Sequence, residues 1–246
     1  MQRHISAAEA RHAARSAVAP RIVIVTLDSH LSSTVARAEA ALQQEIPGLE
    51  ISLHAAATWA ADPAALERCR EDIATGDIIV ASMLFMEDHI QPVIDALKAR
   101  RGACDAMIGC MSAGEVVRLT RLGGFHMDGK ETGVVALLKR LRGAKKPSGE
   151  STGAGQMAML RRLPKILRYI PGTAQDVRAY FLTLQYWLAG SEANVANLAR
   201  FLVNRYAAGP RAGWRGKLSV AEPVEYPETG VYHPRLPGRM AGDAAA

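Results

Sequence analysis

An α/β fold is predicted, built on a doubly wound parallel sheet of Rossmann or flavodoxin-like type and followed by a helical hairpin region. Three observations predict it. Four short runs rich in Ile and Val, at Arg21–Leu27, Glu50–His54, Asp77–Met83 and Asp105–Met111, start about 28 residues apart, which is the spacing of βα units. The segments between them, such as Ser33–Gln44 and Ala64–Ala74, carry helix-like patterns, and RIVIVTL and DIIVASM are apolar enough to be buried on both faces. Finally, Val177, Phe181, Leu184 and Leu188 line one face of a helix, and Val195, Leu198, Leu202 and Tyr206 line one face of the next.

Along the chain, residues 1–19 read as a flexible leader and residues 20–142 as the α/β domain. Glu87 and Asp88 are placed to start a helix whose apolar stripe is Ile90, Val93, Ile94 and Leu97. Val116, Leu119 and Leu122 make a second stripe, with Glu115, Arg118 and Arg121 on the other side, where an intrahelix ion pair is expected. A helix is expected over Val134–Leu141, then a Gly/Ser/Pro-rich linker at 143–155 that separates two folding units. The helical hairpin region spans 156–208, with a helix break that restarts at Pro164 as first helical residue. Gly190 fits the left-handed end of the first hairpin helix, Ser191 the cap of the second, and Glu192 its electropositive first turn. Residues 209–246 read as an extended tail, the start of a domain that does not follow.

The chain has 246 residues, 49% of them hydrophobic, enough for a substantial core. No apolar run of about 18 residues and no secretory h-region appears, which points to a cytoplasmic protein. Cys69, Cys104 and Cys110 form no CxxC, so a disulfide framework or thiolate zinc site is not indicated and core thiols are expected. The net charge of +6 is concentrated in a belt of Lys139, Arg140, Arg142, Lys145, Lys146, Arg161, Arg162, Lys165 and Arg168, opposed there only by Glu150. Such a belt suits an acidic partner or an anionic membrane surface, whereas 5% aromatic residues leave little for base stacking, so nucleic acid is not expected.

Ligands of an open parallel sheet sit beyond the carboxyl ends of its strands. The candidates there are Asp28, Ser29 and His30; Glu87, Asp88 and His89; and Ser112, Glu115 and Arg118. Consecutive residues such as Glu87, Asp88 and His89 cannot all aim at one ion from a regular helix. LDSHLSST offers no glycine turn for a dinucleotide, and although Gly124, Gly129 and Lys130 have phosphate-loop spacing, Glu131 stands where a hydroxyl is needed. Binding of ATP, NAD or FAD is therefore not expected. Covalent hydrolase chemistry finds no Ser-His-Asp order and no GxSxG. His126 with Asp128 reads as a solvated loop pair.

Four blocks, SMLFMEDHIQPV (Ser82–Val93), GEVVRLTRLGGF (Gly114–Phe125), the segment from LRRLPKILRYIPGTAQD (Leu160–Asp176) through the hairpin to Tyr206, and EYPETGVYHP (Glu225–Pro234), occur in an order that resembles the N-terminal region of the magnesium chelatase H subunit. The resemblance covers about residues 20 to 236, departing where Gly114 stands in place of the proline usual before this glutamate. It implies a complex that uses Mg²⁺, ATP and protoporphyrin IX in chlorophyll or bacteriochlorophyll synthesis, with AAA+ chelatase subunits as partners. Family members are several times longer, and their pigment and metal residues lie mostly downstream. The resemblance thus implies a binding or interaction head with no catalytic residue, no metal site and no cofactor of its own.

The basic residues Arg161, Arg162 and Lys165 would face porphyrin propionates or a partner, with Glu87, Glu115 and Arg118 as further candidate surface. The belt also permits peripheral contact with the photosynthetic membrane. Two alternatives stay open: a fragment of a cobaltochelatase-type large subunit, and a basic α/β interaction module with no enzymatic role.

Overall fold

The computed structural model describes residues 18–128 and 162–225, together with 231–233, 235, 240 and 241. Strands β1 (Arg21–Thr26), β2 (Glu50–Ala55), β3 (Ile78–Ser82) and β4 (Ala106–Cys110) pair in parallel in the order β2-β1-β3-β4. That order leaves β1 and β3 at the centre, where all residues but Arg21 are buried. Two short strands, β5 (Arg121–Leu122) and β6 (Phe125–His126), extend the β4 edge antiparallel and make the sheet six-stranded and mixed.

Alternation along the strands divides the core. Val23 and Val25 of β1, Ile79 and Ala81 of β3 and Met107 of β4 share a cluster with residues of helices α2 (Pro63–Thr75), α3 (Glu87–Arg100) and α4 (Gly114–Val117). Ile22, Ile24, Ile78, Val80, Ala106 and Ile108 face the other way. That face is covered by α1 (Ser32–Leu42) and by the hairpin helices α5 (Thr173–Ala189) and α6 (Glu192–Tyr206). The hairpin is thus the second layer over the central strands. The expected linker at 143–155 and the expected helix over Val134–Leu141 lie outside the described residues.

The hairpin turn forms as its residues require. Gly190 ends α5 at φ 59°, with its N–H donating to the Tyr186 carbonyl at 3.3 Å, and the Ser191 hydroxyl accepts from the Asn194 N–H at 3.3 Å. The buried stripe of α5 runs through Val177, Tyr180, Leu184 and Trp187, whereas Leu188 is 44% exposed, so the packed face is rotated from the one the periodicity indicates. The helix spanning 162–167 already includes Leu163, so Pro164 does not restart it as first residue. The Pro164 carbonyl accepts from the Arg168 N–H at 3.2 Å.

One segment departs further from expectation. The stripe is divided: Val116 belongs to a single helical turn, α4, Leu119 to the turn that follows, and Leu122 to β5. Buried Thr120 ends the helix: its hydroxyl accepts from the Gly109 N–H at 3.0 Å and donates to the Gly109 carbonyl at 3.1 Å. A side chain at Gly109 would meet the Val116 carbonyl at 2.1 Å, so only glycine lets α4 lie against β4. Among the described residues no helix is long and apolar enough to cross a membrane.

Candidate functional site

The carboxyl end of the sheet, where ligands of such folds sit, is occupied by its own loops. Met83 and Met111 adopt φ of 60° and 45° at the ends of β3 and β4, a costly conformation for a side-chain-bearing residue. It is held by cross-links between the two loops: the Met83 N–H donates to the Met111 carbonyl at 3.0 Å, the Leu84 N–H to the Ser112 hydroxyl at 3.0 Å, and the Ala113 N–H to the Leu84 carbonyl at 2.8 Å. Phe85 and Met86 are left exposed at the tip.

The candidates from the sequence are therefore distributed, not convergent. Asp28 caps its own turn, accepting from the backbone N–H of His30 at 3.1 Å and pairing with the His30 ring, and the His30 hydrogen bonds hold its carboxyl below the ordinary value. Glu87 and Asp88 stand exposed in the first turn of α3, where their charge favours the helix dipole. His89 is half-buried and its Nδ1 has no hydrogen-bond partner among the described residues. Glu115 lies in α4 and Arg118 is exposed beyond it, and the ion pair expected of them does not form: the Arg118 guanidinium instead folds back over Gly114, 3.6 Å from where a Cβ would be. Among the described residues no group of three or more His, Cys, Asp or Glu could hold a metal ion.

Gly124 is also diverted from phosphate. Its N–H donates to Asp176 Oδ2 at 3.0 Å, while Asp176 Oδ1 accepts from Arg205 at 2.8 Å and from the Tyr206 hydroxyl at 3.1 Å. This carboxylate joins the β5–β6 turn to both hairpin helices. Gly129 and Lys130 lie outside the described residues.

Among the described residues an open concavity lies on the hairpin instead. A cavity of about 400 Å³ is lined by Lys165 and Arg168 at the end of the belt and by Tyr169 next to them, by Arg178, Leu182 and Gln185 from α5, and by Glu222 and Glu225. Arg178, Leu182 and Gln185 are one helix face, because they stand at i, i+4 and i+7. Tyr169 is 82% exposed, and Ile166 and Val224 add apolar surface nearby. Arg162 is exposed on the same short helix, and Arg161 lies outside the described residues. Of the sequence candidates among the described residues only Lys165 lines this cavity; Arg162, Glu87, Glu115 and Arg118 do not.

Residues 21–181 match the family described as Domain of unknown function (DUF3479), and residues 184–245 match CobN/Magnesium Chelatase. The magnesium-chelatase H subunit of Cereibacter sphaeroides is 47% identical over 90% of this chain and 18% of its own length. The chain belongs to the DUF3479 family and corresponds to the N-terminal region of the magnesium-chelatase H subunit. The H subunit of Rhodobacter capsulatus is 44% identical over 91% of the chain and 18% of its own length. The chloroplastic subunit ChlH of Oryza sativa subsp. indica is 32% identical over 68% of the chain and 12% of its own length. The chain thus spans under a fifth of these curated magnesium-chelatase relatives.

Two arrangements in this part of the magnesium-chelatase fold escape sequence reasoning. At the amino end of the sheet, Asp105 accepts two bonds from Arg211 at 3.1 Å and one from the Ala208 N–H at 2.9 Å, and Arg211 also reaches Asp77 at 3.0 Å. Burial raises the Asp77 carboxyl above its ordinary value even beside that guanidinium. The second is a ladder of asparagines on α6. Asn194 exchanges two hydrogen bonds with the Val224 backbone, at 2.8 and 3.0 Å, Asn197 accepts from the Ala221 N–H at 3.1 Å, and Asn204 accepts from the Leu218 N–H at 3.0 Å. These side chains hold the tail by its backbone, so no apolar periodicity in the tail announces the contact. The only sequence signal is an asparagine at residues 194, 197 and 204, on or beside the apolar face of α6.

Proposed function

We propose that this region acts as the binding and interaction head of a magnesium chelatase H subunit, the pigment-handling component of an ATP-dependent Mg²⁺ insertion into protoporphyrin IX. The 47% identity to a magnesium-chelatase relative across 90% of the chain carries the reading. Catalysis is not assigned to it: insertion needs positioned bases for two pyrrole protons and ligands that hand over a tightly hydrated ion, and the candidate carboxylates and histidines are spread over separate loops. The docking surface is the basic face at Arg162 and Lys165, beside the cavity bounded by Arg168 and Tyr169, with Arg161 as the next basic residue in sequence. An exposed tyrosine beside cations suits a flat apolar ligand bearing carboxylates, and it equally suits an acidic face of an AAA+ partner or of the photosynthetic membrane.

Titration of the chain with protoporphyrin IX, followed by fluorescence, tests the reading. Saturable binding that weakens with salt and with the double charge reversal Arg162→Glu, Lys165→Glu is the expected result. Binding indifferent to both would remove this face from the function. Mixed with AAA+ partner subunits, Mg²⁺ and ATP, the chain is expected to yield no Mg-protoporphyrin fluorescence, and steady insertion would overturn the assignment of a non-catalytic head.

A further inference from the structure

Arg178 is the half-buried cation of this cavity. It stands on α5, its Nε donates to the Pro164 carbonyl at 3.1 Å, and among the described residues no carboxylate lies within ion-pairing distance of it. Guanidinium groups taken out of water are ordinarily paired. Burial and the neighbouring Arg168 charge lower its affinity for its own proton, and the largest opposing influence is the charge of Glu222. That carboxylate is committed elsewhere, to Arg168 at 3.8 Å with both side chains more than 60% exposed, a pair too solvated to be strong. The lining around Arg178 is mixed: Pro164, Leu182 and Pro223 supply apolar wall, Gln185, Glu222 and Glu225 supply polar groups, and exposed Tyr169 adds a ring.

We propose that Arg178 is the anchor of a carboxylate-binding site for a ligand with a flat apolar body, and that Glu222 is its resident competitor. A carboxylate entering between Arg178 and Arg168 would receive the fork of donors that Arg178 leaves unused, and Glu222 would swing to solvent. Asn194, by holding the Val224 backbone at both its N–H and its carbonyl, fixes the acidic rim at the cavity while the Glu222 side chain stays free to leave. The proposal rests on the head being a binding region, and it names the inner contact that the exposed belt cannot supply.

The test uses the whole chain and four probes at low ionic strength: protoporphyrin IX, its dimethyl ester, 1-pyrenebutyrate and the uncharged 1-pyrenebutanol. Arg178→Met is expected to weaken both acids about tenfold or more, the scale of a lost charged hydrogen bond, and to leave the ester and the alcohol unchanged. Glu222→Gln is expected to tighten both acids by about two- to fivefold. Arg178→Lys, which keeps the charge without the fork, should fall between wild type and Arg178→Met. Circular dichroism checks each fold, and if Arg178→Met unfolds, the Lys and Glu222 variants decide. Acids that bind all three variants as they bind wild type overturn the anchor while leaving pigment binding intact. Pyrenebutyrate binding that depends on Arg178, with no protoporphyrin binding, keeps the anchor and overturns the pigment reading. Failure of both acids to bind wild type overturns both.

Discussion

The two faces of the sheet are covered by different means. On one, α2 and α3 arise from the crossovers that join neighbouring strands, so each helix lies close in sequence to the strands it packs on. On the other, only α1 is local, and the cover for Ile78, Val80, Ala106 and Ile108 comes from α5 and α6, which begin at Thr173, more than 60 residues after Ile108. The second face is held by a few long-range polar contacts as well as by apolar burial. Asp176, Asp105 and the Arg37–Glu192 and Arg200–Glu45 pairs all join the hairpin or its exit to the α/β layer. Local patterning can make a half-covered sheet, and the fold closes only when a distant segment returns.

If both faces belong to one core, they should fail together. Trp187→Ala on the hairpin and Leu97→Ala on α3, both fully or nearly fully buried, are each expected to cost about 2 to 5 kcal/mol in denaturant unfolding, with one transition seen by fluorescence and circular dichroism alike. Separate transitions, or a cost under about 0.5 kcal/mol at Trp187, would make the hairpin an appendage. The linker proposal sharpens the same point. Limited trypsin is expected to cut first within 143–155, because Lys145 and Lys146 lie in a Gly/Ser/Pro-rich stretch, and the two pieces should then co-elute on gel filtration. Pieces that part would show that the interface cannot hold without the chain connection.

The asparagine ladder provides a smaller break in the comparison. Asn194→Ala leaves both backbone groups of Val224 without their partner, and a loss of about 1 to 3 kcal/mol is expected, with faster amide exchange at Ala221 and Val224. Unchanged exchange there would mean that the tail is held by something other than α6. Gly190→Ala is expected to cost about 1 kcal/mol or slightly more, since φ of 59° disfavours a side chain and the new Cβ would stand 3.1 Å from Leu31. A neutral result would show that the turn relaxes away from the α1 side.

Legibility in the sequence follows the same division. Strands β1, β3 and β4 and the caps at Gly190 and Ser191 were readable because each is decided by residues within one or two turns of chain. The segment after Gly114 was misread as helix because Thr120 ends it through hydrogen bonds to Gly109, a partner that periodicity cannot see. At the cavity, Lys165 was visible as one of a run of charges. Arg178 was not, because a single arginine between Val177 and Ala179 looks like any solvated helix position until Pro164 and Glu222 are brought beside it.

The smallest effect is expected at the thiols, which sample both sides of the α2 and β4 packing. Cys69 and Cys110 are fully buried and free, and burial pushes their thiols up to about 12 and about 11. At pH 8 about one thiol in a thousand or fewer would then be ionised in the native chain, and the thiolate is the reacting form. Native protein mixed with Ellman's reagent should therefore show almost no release of colour over minutes, and all three thiols should react in denaturant. The sign of the linkage is also set: the unfolded chain loses these protons near their ordinary value of 9.0 and the native one only near 11 to 12, so stability falls as pH rises through that window. Native labelling should speed up with pH through this loss of stability, in parallel at Cys69 and Cys110 although they lie on opposite faces. Rapid labelling of Cys110 alone at pH 8 would show that the hairpin face opens independently, and the two faces would then be two cooperative units joined by one sheet.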